Sequence, residues 1–302
     1  MLLDKRIPFK YLFGQIKYDL LRTLIISSIF FTIKFFINDY PPLPIALPAI
    51  LGTSISLLLA FRLNQSYDRW WEARKIWGSI TNDSRSLILE IKGFISDKAF
   101  AETETQLLFR QMAFRQIGWC YCLGQALRAQ NPLEKLEGFI SQKELDQLKD
   151  QYNKPLHLLM LHMNDLKSLH QNNSINIVQQ IKIQDTITRL CDAMGKSERI
   201  NSTVFPATYG KFIHFFIYLF LATLSMVLVE SVGIWEMPIL IVIAIPFFLL
   251  EKSAALMQDP FRNRPTDTAV TAIARNIEIN IKQLLDEKEI PQPVQPESFY
   301  LM

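Results

Sequence analysis

The stretch that decides the fold is LGTSISLLLAFRLNQSYDRWWEARKIWGSITNDSR, residues 51–85. Its first eleven residues are apolar or small, and no Gly-Pro or Asn-Gly pair separates them from the polar, tryptophan-rich remainder. An apolar run that passes without a turn into a polar one is typical of a helix that leaves a membrane. The sequence therefore predicts one long helix that spans a bilayer and continues into water.

Small side chains recur every four residues in the apolar part of this helix. Gly52, Ser56 and Ala60 share one helix face. Small residues at this spacing allow neighbouring helices to approach closely in a membrane. We therefore expect these three residues to lie at helix–helix contacts.

A bulkier stripe, formed by Thr53, Leu57 and Phe61, lies beside the small one. A ring of such helices around an axis would enclose a narrow apolar throat, which is one of the constrictions that channels use. Periodicity alone favours a simpler interpretation, in which Leu57 and Phe61 are core or lipid-facing residues of a spanning helix. Both interpretations stay open at this point.

The polar part of the stretch contains a long motif that resembles the Arg-Trp-Trp signature of the bestrophin family, particularly of its bacterial members. The matching residues are Arg69, Trp70, Trp71, Glu72, Ala73, Arg74, Trp77, Gly78, Asn82, Asp83, Ser84 and Arg85. A second motif, QDPFRNRP at residues 258–265, is similar to the Asn/Asp-Pro-Phe motif that follows the last apolar segment in this family. The order of the apolar segments agrees as well, so the resemblance covers nearly the whole chain.

Composition indicates a protein that is partly embedded in lipid. The chain has 302 residues, of which 49% are hydrophobic, and its mean hydropathy is +0.13. The net charge of +3 is small for this length and the two signs are mixed, so nothing indicates a nucleic-acid-binding surface. Cys120, Cys122 and Cys191 are an odd number on predicted helices, which favours buried, reduced thiols over a disulfide framework.

Four apolar segments are long enough, or nearly so, to span a membrane. They lie at residues 20–37, 44–61, 212–232 and 234–250. Basic residues precede the first segment, whereas the links 38–43 and 231–236 contain no Lys or Arg. By the positive-inside rule both termini are therefore cytoplasmic, in a multi-pass protein of the bacterial inner (plasma) membrane.

The remaining residues are predicted to be helical, so the fold class is an all-α membrane protein with a large cytoplasmic helical insert. Apolar residues recur at helical intervals in 86–100, 104–129, 141–148 and 175–194. The expected division is 1–62 for the N-terminal segment and first membrane helix pair, and 63–210 for the cytoplasmic domain. Residues 211–257 form the second membrane pair, and 258–302 form a cytoplasmic C-terminal helix and tail.

Catalytic and metal-binding patterns are absent from the sequence. There is no Gly-rich phosphate loop, no Gly-x-Ser-x-Gly elbow and no His-Glu-x-x-His motif. The histidines, such as His162 and His214, have no partner at metal-ligand spacing and are expected at surfaces or interfaces. We predict that the protein is not an enzyme and needs no metal or cofactor.

Charges near the apolar segments have ordinary explanations at this stage. Arg62 is interpreted as a basic anchor at the inner membrane boundary. Glu236, beside the predicted outer turn, is either an interface residue or part of an acidic vestibule rim. Lys34 is expected to extend its ammonium group to the outer membrane surface.

The resemblance implies a homopentameric channel in which the second helix of each subunit lines an apolar neck. Carried over from the signature, the neck residues are Thr53, Leu57 and Phe61, and the cytosolic helices enclose a vestibule that ends in a second aperture. That aperture is placed at Val178, with Ile177 as the alternative. The partners implied are other copies of the chain, membrane lipid and small inorganic ions, with no nucleic acid.

Transport through such a channel is passive. Members of the family conduct chloride and other anions, and bacterial members include cation channels. Anion conduction is therefore the first expectation, and a sodium or potassium channel is the alternative. A membrane-anchored scaffold or sensor without conduction is the rival from another class.

Calcium-gated members of the family carry an acidic run after the Pro-Phe motif, because calcium prefers several oxygen ligands. Residues 261–267 of this chain contain two arginines and one carboxylate, Asp267. The resemblance therefore predicts a channel without a calcium clasp.

Overall fold

The structure is a computed structural model, which describes residues 2, 5–36, 43–96, 99, 102–203 and 206–302. Its long α-helices, in chain order, are α1 (Phe9–Phe36), α2 (Ala46–Phe94), α3 (Thr103–Leu127), α4 (Gln142–Lys149), α5 (Lys154–Gln171), α6 (Ile177–Ser202), α7 (Ala207–Val232), α8 (Glu236–Met257) and α9 (Val270–Leu284). A 3₁₀ turn, Gly233–Trp235, joins α7 to α8. Within the described ranges the β-structure is limited to isolated bridges near the C-terminus, so the all-α prediction is confirmed.

Helix α2 is continuous over 49 residues, as the apolar-to-polar run predicts. Buried residues recur along it at helical spacing, from Ile55 and Leu59 to Trp77, Ile80 and Ile91. One face of the helix is therefore packed over most of its length.

The chain divides into two compact units. The apolar unit comprises Asp4–Trp70 and Val204–Asp259, and the polar unit comprises Met1–Leu3, Trp71–Thr203 and Pro260–Met302. Helix α2 contributes to both. The predicted limits at residues 62, 210 and 257 follow membrane boundaries rather than contacts, and they stay a prediction.

In the apolar unit, α1 packs against α7 and α8, and α7 packs against α8. One face of α2 completes a core whose buried apolar residues are Ile16, Leu20, Ile55, Leu59, Ile213, Ile217, Phe220, Leu221, Leu240, Ala244 and Phe248. Gly233, at the end of α7, has a φ of 60°, which glycine adopts without strain and which permits the tight reversal into α8.

Two helical stretches are long and apolar enough to cross a membrane, Ala46–Phe94 and Thr208–Met257. The second runs through α7, the 3₁₀ turn and α8, and so contains both of the last two predicted segments. The first predicted segment lies mainly in α1, where Asp19, Arg22 and Lys34 interrupt the apolar sequence. Residues 38–42 of the predicted outer link are outside the described ranges.

In the polar unit, α3 packs against α5, α6 and α9, and α5 packs against α6. The helix starts are well specified, since Ser141 with Glu144 forms a capping box at α4 and Asn176 with Gln179 forms one at α6. Helix α5 was not among the predicted segments. Its N-cap is Asn153, and a proline lies in its first turn.

The three cysteines lie in this polar unit. Cys120 and Cys122 are buried on α3, Cys191 is half-buried on α6, and all three are free thiols. The prediction of reduced, buried thiols is confirmed for the pair on α3. Burial raises the pKa of both Cys120 and Cys122 to about 12, so neither thiol ionises at neutral pH.

Candidate pore-lining face

The predicted neck residues lie on an exposed face of α2. Leu57 and Phe61 are 57% and 55% exposed, whereas Ile55 and Leu59, on the opposite face, are each 2% exposed. The simpler interpretation of Leu57 and Phe61 as core residues of a single chain is therefore wrong. Large apolar side chains left exposed on one helix face require another contact, either with lipid or with further copies of the helix.

Thr53 is also exposed, but its hydroxyl is already bonded. The Thr53 Oγ1 donates to the carbonyl oxygen of Ala49 at 2.9 Å, and the Ser56 Oγ donates in the same way to Gly52 at 2.8 Å. Such back-bonding uses the donor within the helix itself. The hydroxyl group of Thr53 therefore adds little polarity to the stripe of Leu57 and Phe61.

The small-residue stripe has two different surroundings. A Cβ built on Gly52 would lie 3.0 Å from Cε2 of Phe220 on α7, so the absence of a side chain permits this close contact within the chain. Ser56 and Ala60 are exposed. Their predicted contact with another helix stays a prediction, because it requires a second copy.

The predicted aperture residues begin α6. Val178 is 71% exposed and Ile177 is 55% exposed, directly after the capping residue Asn176. Ile181, one turn later, is exposed as well. The first turn of α6 thus presents an apolar surface that the polar unit leaves uncovered.

The bestrophin-like signature residues mainly fasten α2 to neighbouring helices of the polar unit. Trp77 is fully buried. Asp83 accepts from Nε of Arg189 at 2.8 Å, on α6. Arg85 donates through Nε and Nη2 to Oδ1 of Asn280 on α9, at 3.0 and 2.7 Å.

The other signature positions range from exposed to fully buried. Glu72 accepts from Nη2 of Arg199 at 2.9 Å, a second link to α6. The remaining residues are the exposed Trp71 and Asn82, the half-buried Arg69, Trp70, Arg74 and Gly78, and the buried Ala73 and Ser84. The signature is therefore a packing element of α2, and none of its residues belongs to the apolar stripe.

Comparison with known proteins agrees with this arrangement. A family model described as bacterial/fungal bestrophin protein matches residues 11–283. The chain belongs to the bestrophin family. The voltage-dependent anion channel-forming protein YneE of Escherichia coli O157:H7 is 32% identical over 253 residues, which cover 83% of this chain and 80% of that protein. A voltage-dependent anion channel-forming protein of Nostoc sp. is 29% identical over 247 residues, covering 80% and 79% respectively.

Solved structures show the same bestrophin fold. A crystal structure of a bacterial bestrophin homolog from Klebsiella pneumoniae superposes with a TM-score of 0.83 and 21% identity, covering 91% of this chain and all of that one. As a bestrophin, the chain is a helical membrane protein. The relatives are named as channel-forming proteins, which agrees with the prediction that it is not an enzyme.

Several charged residues in the apolar unit of this bestrophin have partners that the sequence did not indicate. Arg62 is buried, and its Nη1 lies 3.1 Å from Oε1 of Glu251 on α8. A Cβ on Gly210 would lie 3.0 Å from Nη2 of Arg62, so this glycine makes room for the guanidinium group. The interpretation of Arg62 as an ordinary boundary anchor is wrong, because its charge is neutralised inside the helix bundle.

Asp19, on α1, is buried beside the same pair. It lies 3.3 Å from Nζ of Lys252 and 3.4 Å from Nε2 of His214, and it accepts from the Tyr218 hydroxyl at 2.8 Å. Charges inside membrane segments are costly unless paired. The described residues of α1, α2, α7 and α8 thus share one compensated cluster.

Glu236, at the start of α8, is fully buried. Its two carboxylate oxygens accept from Ser27 Oγ at 2.6 Å and from Ser225 Oγ at 2.5 Å. It therefore joins α8 to α1 and α7, and both expectations for it, an interface residue or an acidic rim, are wrong. The ammonium nitrogen of Lys34 lies 3.7 Å from Oε1 of Glu230, and its expected position at the outer membrane surface stays a prediction.

The acidic residue after the Pro-Phe motif forms a hydrogen bond to the backbone within the same short segment. Asp267 is buried and accepts from the backbone N–H of Arg264 at 3.0 Å. Among the residues that the structure describes, no group of three acidic, His or Cys side chains has the arrangement of a metal site. The absence of a calcium clasp stays a prediction.

Proposed function

We propose that this bestrophin assembles as a homopentamer in the bacterial inner membrane and passively conducts small anions, chloride among them. The observation that carries the proposal is the exposed stripe of Thr53, Leu57 and Phe61 on α2. The stripe is apolar, regular and uncovered within the chain, while the opposite face of the same helix is packed. Five copies around an axis would turn it into a dry neck that gates by dewetting.

A single chain cannot enclose such a neck, because it contributes only one α2. Small residues beside the stripe, Ser56 and Ala60, leave space for a neighbouring α2 to approach. The exposed apolar residues at the start of α6, Val178 and Ile177, would form the second constriction in the same assembly. In this proposal both termini are cytoplasmic, as the distribution of basic residues indicates.

The choice of anions rests on the relatives, which are named as anion channel-forming proteins. The neck itself carries no formal charge, so the preference between anions and cations would depend on weak partial charges around it. A membrane potential measured across liposomes in a potassium chloride gradient separates the two. A reversal potential near that of chloride is expected, and one near that of potassium would contradict anion conduction.

The neck is tested by widening it. In Leu57→Ala/Phe61→Ala, the constriction becomes wider and wetter, so chloride flux from liposomes should rise several-fold. Because these side chains are not packed in the core, the thermal stability of the oligomer should change little. If they were core residues, each truncation would lower the free energy of unfolding by about 2–5 kcal/mol.

A matched control is available on the same helix. Ile55→Ala/Leu59→Ala removes apolar side chains of similar size from the buried face, and we expect a clear loss of stability without a gain in flux. If the first double variant loses as much stability as this control, with flux unchanged or lower, the neck assignment is wrong. The mass of the detergent-solubilised protein tests the pentamer separately, and one or two protomers would contradict it.

A further inference from the structure

A cavity of about 580 Å³ lies in the polar unit. Its lining comes from the end of α3 and the turns that follow, from the first turns of α9, and from the C-terminal tail. This volume is within the usual range of small-molecule sites. It is remote in sequence from the stripe on α2, and none of the lining residues belongs to the proposed neck or aperture.

The cavity lining contains two acidic and two basic side chains; each acid accepts a hydrogen bond from a neutral group, and neither base is paired with an acid among the described residues. The charged residues are Arg128, Lys135, Glu134 and Glu297. Glu134 accepts from the amide of Gln125 at 3.4 Å, and Glu297 accepts from the Tyr300 hydroxyl at 2.5 Å. Neither Arg128 nor Lys135 makes an ion pair with any described residue. The ammonium group of Lys135 instead lies 5.4 Å from the ring centre of Tyr121.

Only part of the hydrogen-bonding capacity of the Arg128 guanidinium group is used. Its Nη1 donates to Oγ1 of Thr271 at 2.6 Å. Its Nε and Nη2 are buried and have no hydrogen-bond partner among the described residues. Burial lowers the pKa of Arg128 to about 10, against a smaller opposing effect of Asp267. A buried donor without a hydrogen-bond acceptor lowers the stability of the folded protein by about 1–3 kcal/mol, and by more if the donor is charged.

The unfilled Nε–Nη2 edge is the one that this protein uses elsewhere to hold oxygen acceptors. Arg115 directs the same two nitrogens to Oε1 of Glu144. Arg85 directs them to Oδ1 of Asn280. The geometry of this edge matches two oxygens of one carboxylate or phosphate group. In Arg128 alone of these three, the edge has no acceptor.

We propose that this cavity binds a small soluble oxyanion, a carboxylate or a phosphate, on the Nε–Nη2 edge of Arg128, with Lys135 as a second cation. The first turn of α9, which carries Thr271, adds the positive end of a helix dipole to the same place. Because the edge is shut off from water, binding requires the guanidinium group to turn into the cavity or the tail to move aside. The proposal is independent of ion conduction.

Thermal unfolding of the detergent-solubilised protein tests this site without any flux measurement. Inorganic phosphate and succinate are titrated separately against sodium chloride at equal ionic strength. We expect a saturable rise in the unfolding temperature of the natural protein and of Arg110→Gln. That control removes an exposed arginine, paired with Glu287 and outside the cavity lining. Arg128→Gln should lose the saturable response.

Arg128→Lys is the second variant, because it keeps the charge but loses the two-nitrogen edge. Its affinity for the responding oxyanion, measured by calorimetric titration, should fall at least tenfold, and this comparison decides the matter if Arg128→Gln does not fold. Unchanged affinity in Arg128→Lys, or the full response in Arg128→Gln, overturns the proposal.

Two other molecules could place an oxyanion on the same edge of Arg128, and each would give a different result. A response only to vesicles that contain phosphatidylglycerol would show a lipid headgroup site. Loss of the oligomer in Arg128→Gln, with no oxyanion response in the natural protein, would show that a carboxylate of a second copy fills the edge. Either result overturns a soluble ligand.

Discussion

Each compact unit of the molecule contains a buried arginine, and the two arginines are compensated in different ways. In the polar unit, Arg115 donates through Nε and Nη2 to Glu144 and through Nη1 to Asp165, at 2.5 Å for the last. In the apolar unit, Arg62 donates through Nη1 to Glu251 at 3.1 Å, and its Nε has no hydrogen-bond partner among the described residues.

The difference lies in what remains when the arginine is removed. Among the described residues, Arg115 is the cation of α3 that pairs with Glu144 on α4 and Asp165 on α5, and Gln111 adds a neutral hydrogen bond to Glu144. Loss of Arg115 would therefore leave two carboxylates without this counter-charge. Glu251 has other basic groups close by, the ammonium group of Lys252 at 3.5 Å and the imidazole ring of His214 at 3.8 Å. In the polar unit one arginine thus compensates the charges of Glu144 and Asp165, whereas in the apolar unit several basic groups lie close to Glu251.

The largest effect is expected for Arg115→Leu. Removal of one partner of a buried ion pair typically costs about 3–5 kcal/mol, because the remaining charge is uncompensated. The unfolding free energy, from denaturant titration of the solubilised protein followed by tryptophan fluorescence, should fall by that amount. Arg110→Leu, at an exposed pair with Glu287, should cost less than about 1 kcal/mol. Equal losses in the two variants would contradict the central role of Arg115.

A smaller loss is expected for Arg62→Leu. Since Lys252 and His214 stay beside Glu251, the loss should remain below the range for an uncompensated buried charge, at about 2 kcal/mol. Lys211→Leu is the control, because Lys211 is an exposed basic residue of the same unit. The same unfolding measurement checks both. A cost for Arg62→Leu as large as that for Arg115→Leu would mean that the cluster around Glu251 is not redundant.

The smallest effect concerns His162, which is fully buried on α5 and has no hydrogen-bond partner for either ring nitrogen among the described residues. Burial, and secondly the nearby charge of Arg115, holds the pKa of His162 well below its ordinary value of 6.5. Below pH 6.5 the unfolded chain therefore binds a proton that the folded chain does not. Stability should fall by about 1.4 kcal/mol per pH unit as the pH decreases below that value.

His162→Leu removes this proton-linked loss. At pH 7 its stability should equal or exceed that of the natural protein, because a buried polar group without a partner is replaced by an apolar one. Between pH 6.5 and 5.5 its unfolding free energy should change by about 1 kcal/mol less than that of the natural protein, because the histidine of the unfolded chain is half protonated at pH 6.5. Parallel pH profiles for the two proteins would show that His162 does not titrate in this way.

Much of the fold could be predicted from the sequence because the deciding signals are local. Helix α2 follows from an apolar run without a helix breaker, and four-residue spacing places Leu57 and Phe61 on one helix face. The assignment of that face to a neck comes from the family resemblance, because periodicity alone favours core or lipid-facing residues. Helix α5 was missed although Asn153 and a following proline mark its start. His157 and His162 interrupt its leucine pattern, and the burial of His162 contradicts the expectation of surface histidines.

The charged cluster could not be predicted, because it depends on how distant helices pack. Arg62 and Glu251 are 189 positions apart, and the sequence around each fits a membrane boundary. One signal was available, since a carboxylate such as Glu251 directly after a long apolar segment requires a partner. Glu236 was misinterpreted for a related reason, because its two serine donors lie on other helices.

The buried thiols make this protein suited to site-specific labelling. Cys120 and Cys122 are inaccessible and stay protonated at neutral pH, and the pKa of Cys191 is also raised, first by partial burial. Thiol-reactive probes act on the thiolate form. A cysteine introduced at an exposed position of α2 would therefore be modified far faster than Cys120 and Cys122. Fluorophores or spin labels can be placed there without first removing those two cysteines, and Cys191 is the native thiol to replace.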